Sequence, residues 1–187
     1  TVYIGWDGVE INRVGTSWPL VAYIVELPEN IREDNGILVA SHTGPTDYNH
    51  RMIIPFVEDI NDIAKNPIRF RTFENGNIIE KTLKVIVLCA VCDGPGRSKL
   101  LQIQGHASIH GCNYCLTRTL KNFEPLLMEE IEIRDDNEWR NIAKVVDSIQ
   151  GKINSKDIGL KYKGIKGLTP VMGVPNINLS TFCMIDI

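Results

Sequence analysis

An apolar run that ends abruptly in an aspartate constrains the fold of this chain more than any other feature. Residues 84–92 read KVIVLCAVC, a composition typical of a strand buried inside a sheet. Asp93 follows, and Gly94, Pro95 and Gly96 then force the chain to turn away sharply. The run therefore predicts a central strand whose end presents a carboxylate at the sheet edge where open α/β proteins bind ligands.

The composition is that of an ordinary globular protein. The chain has 187 residues, of which 43% are hydrophobic and 23% charged, enough for one domain with its own core. No apolar stretch reaches the ~20 residues of a membrane-spanning helix, and residues 1–4 do not resemble a signal peptide. A net charge of −3 argues against a surface that binds nucleic acid throughout. Five unevenly spaced cysteines favour a reducing compartment over a disulfide framework.

Hydrophobic periodicity predicts strands and helices that alternate along the chain. The predicted strands cover residues 2–11, 18–27, 36–41, 68–73 and 78–92, and the predicted helices cover 48–65, 97–104 and 136–150. Asn75 and Gly76 predict a tight hairpin turn, whereas 151–179 is rich in Gly, Pro, Asn and Lys and is expected to be irregular. Three antiparallel strands, a helix and a strand that returns beside the first are the start of an RNase H-like α/β fold with a mixed sheet.

The chain divides into three predicted segments. Residues 1–105 would form the first part of an RNase H-like catalytic core, and residues 106–180 an insertion with a cysteine pair, a helix and an irregular segment. Residues 181–187 would begin a further core element. Because the chain lacks an initiator Met and ends inside an apolar run, we expect it to be a truncated piece of a longer protein.

Two aspartates are the candidate catalytic residues, and each has an alternative structural role. Asp7 interrupts the first strand, which suggests a functional carboxylate, but a bulge or a turn is an equal alternative, since Asp7 and Gly8 are also a hairpin dipeptide. Asp93 could hold a metal ion, or it could simply cap the helix that follows Pro95. In an RNase H-like order the two acids converge. Such carboxylates hold two divalent ions about 3.5 to 4 Å apart in phosphoryl-transfer sites.

Cys112 and Cys115 form a Cys-x-x-Cys pair in a polar loop. Two thiolates at this spacing supply half of a tetrahedral zinc site. His106 and His110 are the local candidates for the remaining ligands. A redox dithiol or an incidental pair is the alternative.

Residues 152–166 are locally basic in an otherwise acidic chain. The segment contains the five lysines Lys152, Lys156, Lys161, Lys163 and Lys166. Such a run either contacts the phosphates of a nucleic acid or forms solvated surface. These lysines are therefore the candidate nucleic-acid contacts of the chain.

Six short motifs follow one another in a characteristic order. They are 6–9 (WDGV), 17–20 (SWPL), 26–28 (ELP) with Arg32, 92–97 (CDGPGR), 105–106 (GH) and 111–115 (GCNYC). Their order and spacing resemble the catalytic core of CACTA-type (CMC superfamily) cut-and-paste DNA transposases, whose catalytic domains are RNase H-like and of the DDE/D type. The core of the catalytic subunit of the V(D)J recombinase is similar.

The resemblance implies a role for each candidate residue. Asp7 and Asp93 would be the first two catalytic acids and would hold two Mg²⁺ or Mn²⁺ ions, while Cys112 and Cys115 would bind structural zinc. Asp186 would begin an Asp-x-x-His motif. The third acid and a His pair that completes the zinc site would lie beyond residue 187. We therefore expect this chain to be inactive by itself and to bind zinc weakly.

The resemblance also implies partners and a compartment. The full-length enzyme would act in the nucleus on transposon ends and target DNA, would associate with itself, and would have no membrane partner. Two other functions stay open. One is a domesticated transposase remnant that binds DNA or protein without cutting it, and the other is a zinc-ribbon interaction domain in which Asp93 is only a helix cap.

Overall fold

The computed structural model describes residues 1–11, 15–43, 46–105, 108–116, 131–149 and 152–185. In these ranges the chain is a mixed α/β protein, with one six-stranded mixed sheet and a separate two-stranded sheet. None of the helices in this part of the chain is both long enough and apolar enough to cross a membrane.

The six-stranded sheet brings strands from both ends of the chain together. The strands are β1 (Val2–Trp6), β2 (Val9–Ile11), β3 (Gly15–Ile24), β4 (Ile37–Thr43), β5 (Ile68–Glu74), β6 (Asn77–Leu83), β7 (Val87–Cys92) and β8 (Cys183–Ile185). Strand β3 pairs antiparallel with β1, β2 and β4. Strand β7 pairs parallel with β1 on one side and with β8 on the other. The strand expected to return beside the first is therefore β7.

Short helices connect the strands. They are α1 (Glu29–Arg32), α2 (Ile54–Lys65), α3 (Gly94–Leu100), α4 (Asp136–Ser148), α5 (Ser155–Lys161) and α6 (Leu179–Phe182). The expectation that 151–179 is irregular was wrong for α5. The Asn154 side chain caps α5 by accepting a hydrogen bond from the Asp157 amide at 2.8 Å, which offsets the cost of starting a helix in a glycine-rich segment.

Three other predicted elements differ in their ends or in helix type. The predicted strand 78–92 is interrupted after Leu83, so that β6 belongs to the separate hairpin and β7 to the main sheet. The predicted helix 97–104 begins earlier, at Gly94, because Asp93 caps it directly and Pro95 fits the first turn. The predicted helix 48–65 is a 3-10 helix up to Ile53 and an α-helix from Ile54.

One face of the main sheet carries the hydrophobic core. Ile4 and Trp6 alternate with Tyr3 and Gly5 along β1, and only the first two are fully buried. The Trp6 and Trp18 rings meet edge to face with their centroids 5.8 Å apart. Helices α2, α4 and α6 and the segment 165–174 add their apolar side chains to the same cluster. The segment predicted as an insertion, 106–180, therefore packs on the sheet.

Candidate functional site

Asp7 and Asp93 directly follow two neighbouring parallel strands of the main sheet. Strands β1 and β7 run parallel with Ile4 beside Ala90 and Gly5 beside Val91, and each aspartate comes directly after its strand. Both side chains line one cleft of about 760 Å³, with Asp7 exposed and Asp93 half-buried. Carboxyl ends of neighbouring parallel strands are where open sheets bind ligands. The predicted acid pair therefore shares one site.

The Asp93 carboxylate also caps helix α3. Its Oδ1 accepts a hydrogen bond from the Gly96 amide at 2.5 Å. A Cβ at position 96 would lie 2.8 Å from that oxygen and 3.0 Å from the Trp6 carbonyl oxygen, so only glycine lets α3 approach the end of β1 this closely. The cap and the shared cleft occur together, and the two roles considered for Asp93 do not exclude each other.

Asp7 lies at the break between β1 and β2. Its Oδ1 accepts a hydrogen bond from the Gly8 amide at 2.7 Å. A Cβ on Gly8 would stand 2.8 Å from the Trp18 ring, so the loop lies directly on that ring. Strands β1 and β2 keep one register on β3, with Trp6 opposite Leu20 and Val9 opposite Ser17, so the hairpin turn considered for Asp7 is not formed. Asp7 lies in a short interruption of a strand that continues along β3.

The two carboxylates fit a hard divalent cation. In the described ranges, neither Oδ2 atom has a hydrogen bond, while each Oδ1 is held by a backbone amide. Mg²⁺ is commonly bound by one or two carboxylates together with waters and substrate phosphates. A group of three or more His, Cys, Asp or Glu side chains that could hold a metal does not occur within the described part of the chain. Asp186, the further candidate, lies outside the described residues.

Lys99 is a cation beside the acid pair that sequence analysis missed. Its Nζ lies 3.6 Å from the centroid of the Trp18 ring. Partial burial lowers the pKa of the Lys99 ammonium, and attraction to the Asp93 carboxylate opposes this shift. The sequence does show a lysine in the helix that begins after Asp93, and this is the signal from which Lys99 could have been predicted. Lys99 is therefore positioned to offset part of the negative charge in the cleft.

Cys112 and Cys115 lie in a loop that is tied to the chain on both sides. Neither forms a disulfide, and both are partly exposed. Cys115 forms an isolated antiparallel bridge with Ile133. Next to them, the Asn113 amide donates to the Ser180 carbonyl at 2.8 Å, which connects the loop to the residues just before β8. The loop is thus an ordered knuckle in which both thiols can still be reached from solvent.

Arg134 organises this loop, and sequence analysis missed it as well. The guanidinium is buried and donates to the carbonyl oxygens of Cys112 and His110, each at 2.8 Å. Its Cζ lies 5.1 Å from the Trp139 ring centroid. Burial lowers the pKa of Arg134, and negative charge on Cys112 and Cys115 opposes this shift. Arg134 therefore places a positive charge beside the two cysteines.

Among the described residues, no histidine joins the cysteine pair in a metal-holding group. His110 is buried, and its Nδ1 lies 2.9 Å from the Leu116 carbonyl oxygen. His106 lies outside the described residues. The zinc site expected from the sequence therefore stays a prediction that rests on Cys112 and Cys115.

The five lysines of the basic segment have different surroundings. Lys152 and Lys156 are exposed. Lys161 and Lys163 form ion pairs, with Asp157 at 3.5 Å and with Glu138 at 2.7 Å. Lys166 lines a different cleft. The segment therefore does not present its five charges as one uniform patch.

A second cleft, of about 730 Å³, contains a buried histidine. His50 lines it with Arg51 and Lys166, and the His50 Nδ1 lies 3.0 Å from the Gln102 amide nitrogen. Burial first, and then repulsion from Arg51 and Lys166, lowers the pKa of His50 to about 4. His50 is therefore neutral in the folded protein at pH 7.

We expect His50 to make the fold sensitive to acid. The unfolded chain takes up a proton near the ordinary histidine pKa of 6.5, whereas the folded chain does so only near 4. The contribution of neutral His50 to the free energy of unfolding is thus fully present above pH 6.5. It falls as the pH drops towards 4, by at most about 1.4 kcal/mol per pH unit for one proton. Urea unfolding at pH 7 and pH 4.5 should show a smaller loss for His50→Gln than for the wild type. An equal loss would contradict this role.

The sequence matches no protein-family model, and no curated protein is significantly similar to it. Function is therefore inferred from the acid pair, the cysteine knuckle and the sheet that positions them. Of these features, the acid pair has the most definite geometry, because two paired strands fix where both side chains begin.

Proposed function

We propose that this chain is the first part of the catalytic core of a DDE/D DNA transposase, which cuts and joins DNA by phosphoryl transfer. The observation that carries the proposal is the shared cleft of Asp7 and Asp93. These residues are 86 positions apart in the sequence, yet they follow adjacent parallel strands and line the same cavity. Convergent carboxylates at such strand ends are what two-metal phosphoryl transfer requires.

The strand arrangement supports an RNase H-like fold for this core. Across the sheet, β4, β3, β1, β7 and β8 lie side by side, with β3 antiparallel to β1 and with β7 and β8 parallel to β1. A meander of three strands followed by a strand that returns beside the first is the order predicted from the sequence. Residues 183–185 add the next parallel strand to it.

The chain's own residues prepare the acid pair for Mg²⁺ or Mn²⁺. The Gly96 and Gly8 amides hold one oxygen of each carboxylate, which fixes its orientation and leaves the other oxygen for a cation. Ions bound there would activate water or a DNA 3′-hydroxyl for in-line attack and stabilise the leaving oxygen. Lys99, near Asp93, lowers the electrostatic cost of holding two acids together.

Cys112 and Cys115 would contribute two ligands to a structural zinc ion in the same protein. Support comes from the ordered knuckle, in which the Arg134 charge lies beside the cysteines and both thiols stay partly exposed. A tetrahedral zinc site needs two further ligands. The proposed enzyme would act on transposon ends and target DNA in the nucleus. It would associate with a second copy of the full-length enzyme.

One observation favours a second candidate function. The hydrogen bond from the Gly96 amide to Asp93 is that of an ordinary helix cap. If capping were its whole role, the chain would be a non-catalytic module, either a zinc-ribbon interaction domain or a domesticated DNA- or protein-binding remnant. Such a module would bind no Mn²⁺ at the cleft.

Mn²⁺ binding to this chain tests the proposal. Electron paramagnetic resonance should show Mn²⁺ binding to the wild type that Mg²⁺ competes away and that Asp7→Asn weakens. A full-length protein that contains this chain should nick supercoiled DNA only when Mg²⁺ or Mn²⁺ is present. If the chain binds no Mn²⁺ and the full-length protein leaves DNA intact, the non-catalytic module replaces the enzyme.

A further inference from the structure

Strands β5 and β6 form a hairpin that stands apart from the main sheet. In the described part of the chain these strands pair only with each other, over seven residue pairs from Ile68 opposite Leu83 to Glu74 opposite Asn77. Asn75 and Gly76 make the turn with φ angles of 51° and 80°, as in the tight hairpin turns that Asn-Gly favours. At about 3.3 Å per residue the ribbon is roughly 23 Å long.

The hairpin exposes many apolar side chains. All residues of β6 are exposed, and so are most of β5. The large apolar residues at its surface are Ile68, Phe70, Phe73, Ile78, Ile79 and Leu83. An isolated hairpin in water is marginally stable, and an exposed apolar patch marks an interaction surface. This element therefore has the surface of a binding arm.

The hairpin is basic, although the chain is acidic. The hairpin, residues 68–83, contains three basic and two acidic side chains, and Lys65 and Lys84 lie just outside it, whereas the whole chain contains 20 Lys and Arg against 23 Asp and Glu. Both acids have partners inside the hairpin, because Glu74 pairs with Lys81 and Glu80 lies 4.0 Å from Arg69. The surplus positive charge of the ribbon is thus available to a partner.

The charges and the apolar tip lie on one face. Arg69, Arg71 and Phe73 alternate along β5 and so point to the same side, and Ile78 is opposite Phe73 beside the turn. Phe73 and Ile78 are 73% and 72% exposed. Glu80 is opposite Arg71 on the same side, so this face combines two guanidinium groups and one carboxylate with an apolar pair at the tip.

We propose that the β5–β6 hairpin is an arm that binds double-stranded DNA. Arg69 and Arg71 contact backbone phosphates, and the Phe73 and Ile78 tip enters the groove. The major groove admits a two-stranded ribbon, and apolar side chains are known wedges between base steps. The identity of the polymer rests on the proposed function, but this contact does not involve the metal-holding aspartates.

A second copy of the hairpin is the less favourable occupant. In two hairpins that met face to face, each face would carry the Arg69 and Arg71 guanidinium groups against the single carboxylate of Glu80. Both faces would therefore have a net positive charge, and like charges that face each other across an interface are unfavourable. DNA phosphates instead neutralise the same charges and release bound cations. The charge of the ribbon therefore selects nucleic acid over self-association.

Fluorescence anisotropy with duplex DNA tests the arm. The duplex has about 30 base pairs, which at 3.4 Å per pair is several times the length of the ribbon. The buffer contains EDTA so that no divalent ion contributes to binding. Removing one phosphate contact should lower the slope of log affinity against log salt by about 0.9. Arg71→Ala should show that loss with several-fold weaker binding, and Arg69→Ala/Arg71→Ala should show about twice the loss of slope. Phe73→Ser should weaken binding without changing the slope.

Lys144→Ala is the matched control, because Lys144 is exposed on α4 and its loss changes the charge equally. Its binding and salt slope should equal those of the wild type. The arm is disproved if the arginine variants bind DNA as tightly as the wild type does. It is also disproved if these variants alter only the mass of the protein in analytical ultracentrifugation, because a second copy of the chain then occupies the hairpin. Absence of Mn²⁺ binding together with intact hairpin-dependent DNA binding would overturn the proposed enzyme and leave the arm standing.

Discussion

Asp93→Asn should abolish divalent-ion binding at the cleft while the fold remains as stable as in the wild type. Asparagine caps helices about as well as aspartate, so the hydrogen bond from the Gly96 amide to Oδ1 persists. The substitution removes the charge and one anionic oxygen. If the acid holds a catalytic ion, the loss of several kcal/mol of transition-state stabilisation lowers the strand-cleavage rate of the full-length protein about a thousandfold or more.

Two comparisons make this result specific. Asp93→Ala should lose the ion equally and should also lose the cap, at a cost of about 1 kcal/mol in urea unfolding. Asp135 caps α4 in the same way, by accepting from the Glu138 amide at 2.7 Å, so Asp135→Asn should bind Mn²⁺ normally. If Asp93→Asn also binds Mn²⁺ normally, the carboxylate is a cap and no more.

Arg134→Ala should cause the largest loss of stability among the site variants, about 3 kcal/mol. The wild-type guanidinium makes two hydrogen bonds to buried carbonyl groups, those of Cys112 and His110. Hydrogen bonds from a charged donor contribute about 1.5 to 3 kcal/mol each, and buried groups left without a partner add their own cost. The gain from no longer burying a charge offsets part of this sum. Urea unfolding at pH 7 measures the difference.

Zinc binding provides a second readout for the same residue. Without Arg134 the knuckle loses both carbonyl contacts and the positive charge beside the cysteines, so zinc binding measured with a colorimetric chelator should weaken. Arg134→Lys keeps the charge but cannot span both carbonyls, and we expect it to fall between the wild type and Arg134→Ala in stability. Equal stability of all three proteins would show that the Arg134 guanidinium does not stabilise the fold.

Local patterns were enough to predict the parts of the fold that depend on near neighbours. The run 84–92 and the Gly-Pro-Gly exit predicted a strand that ends at Asp93, and Asn75 and Gly76 predicted the hairpin turn. The pairing of β1 with β7 followed from the order of the elements. Such features are set by side-chain alternation and turn geometry, which are read within a few residues.

The residues that support the site could not be predicted in the same way. Arg134 reaches the Cys112 carbonyl from 22 positions away, and Lys99 lies on Trp18, which belongs to a distant strand. An arginine or lysine carries no local signal of such a contact, because tertiary packing creates it. Helix α5 was different, since Asn154 and Asp157 did carry a capping signal inside the lysine-rich segment.

The contact between Asn113 and Ser180 has a thermodynamic consequence. The Asn113 amide ties the cysteine knuckle to residues that lead into β8, and β8 lies beside β7, the strand that ends at Asp93. A ligand that orders the knuckle would then also favour the paired form of β8. Coupling free energies are reciprocal, so ordering at the edge of the sheet would strengthen binding at the knuckle by the same factor.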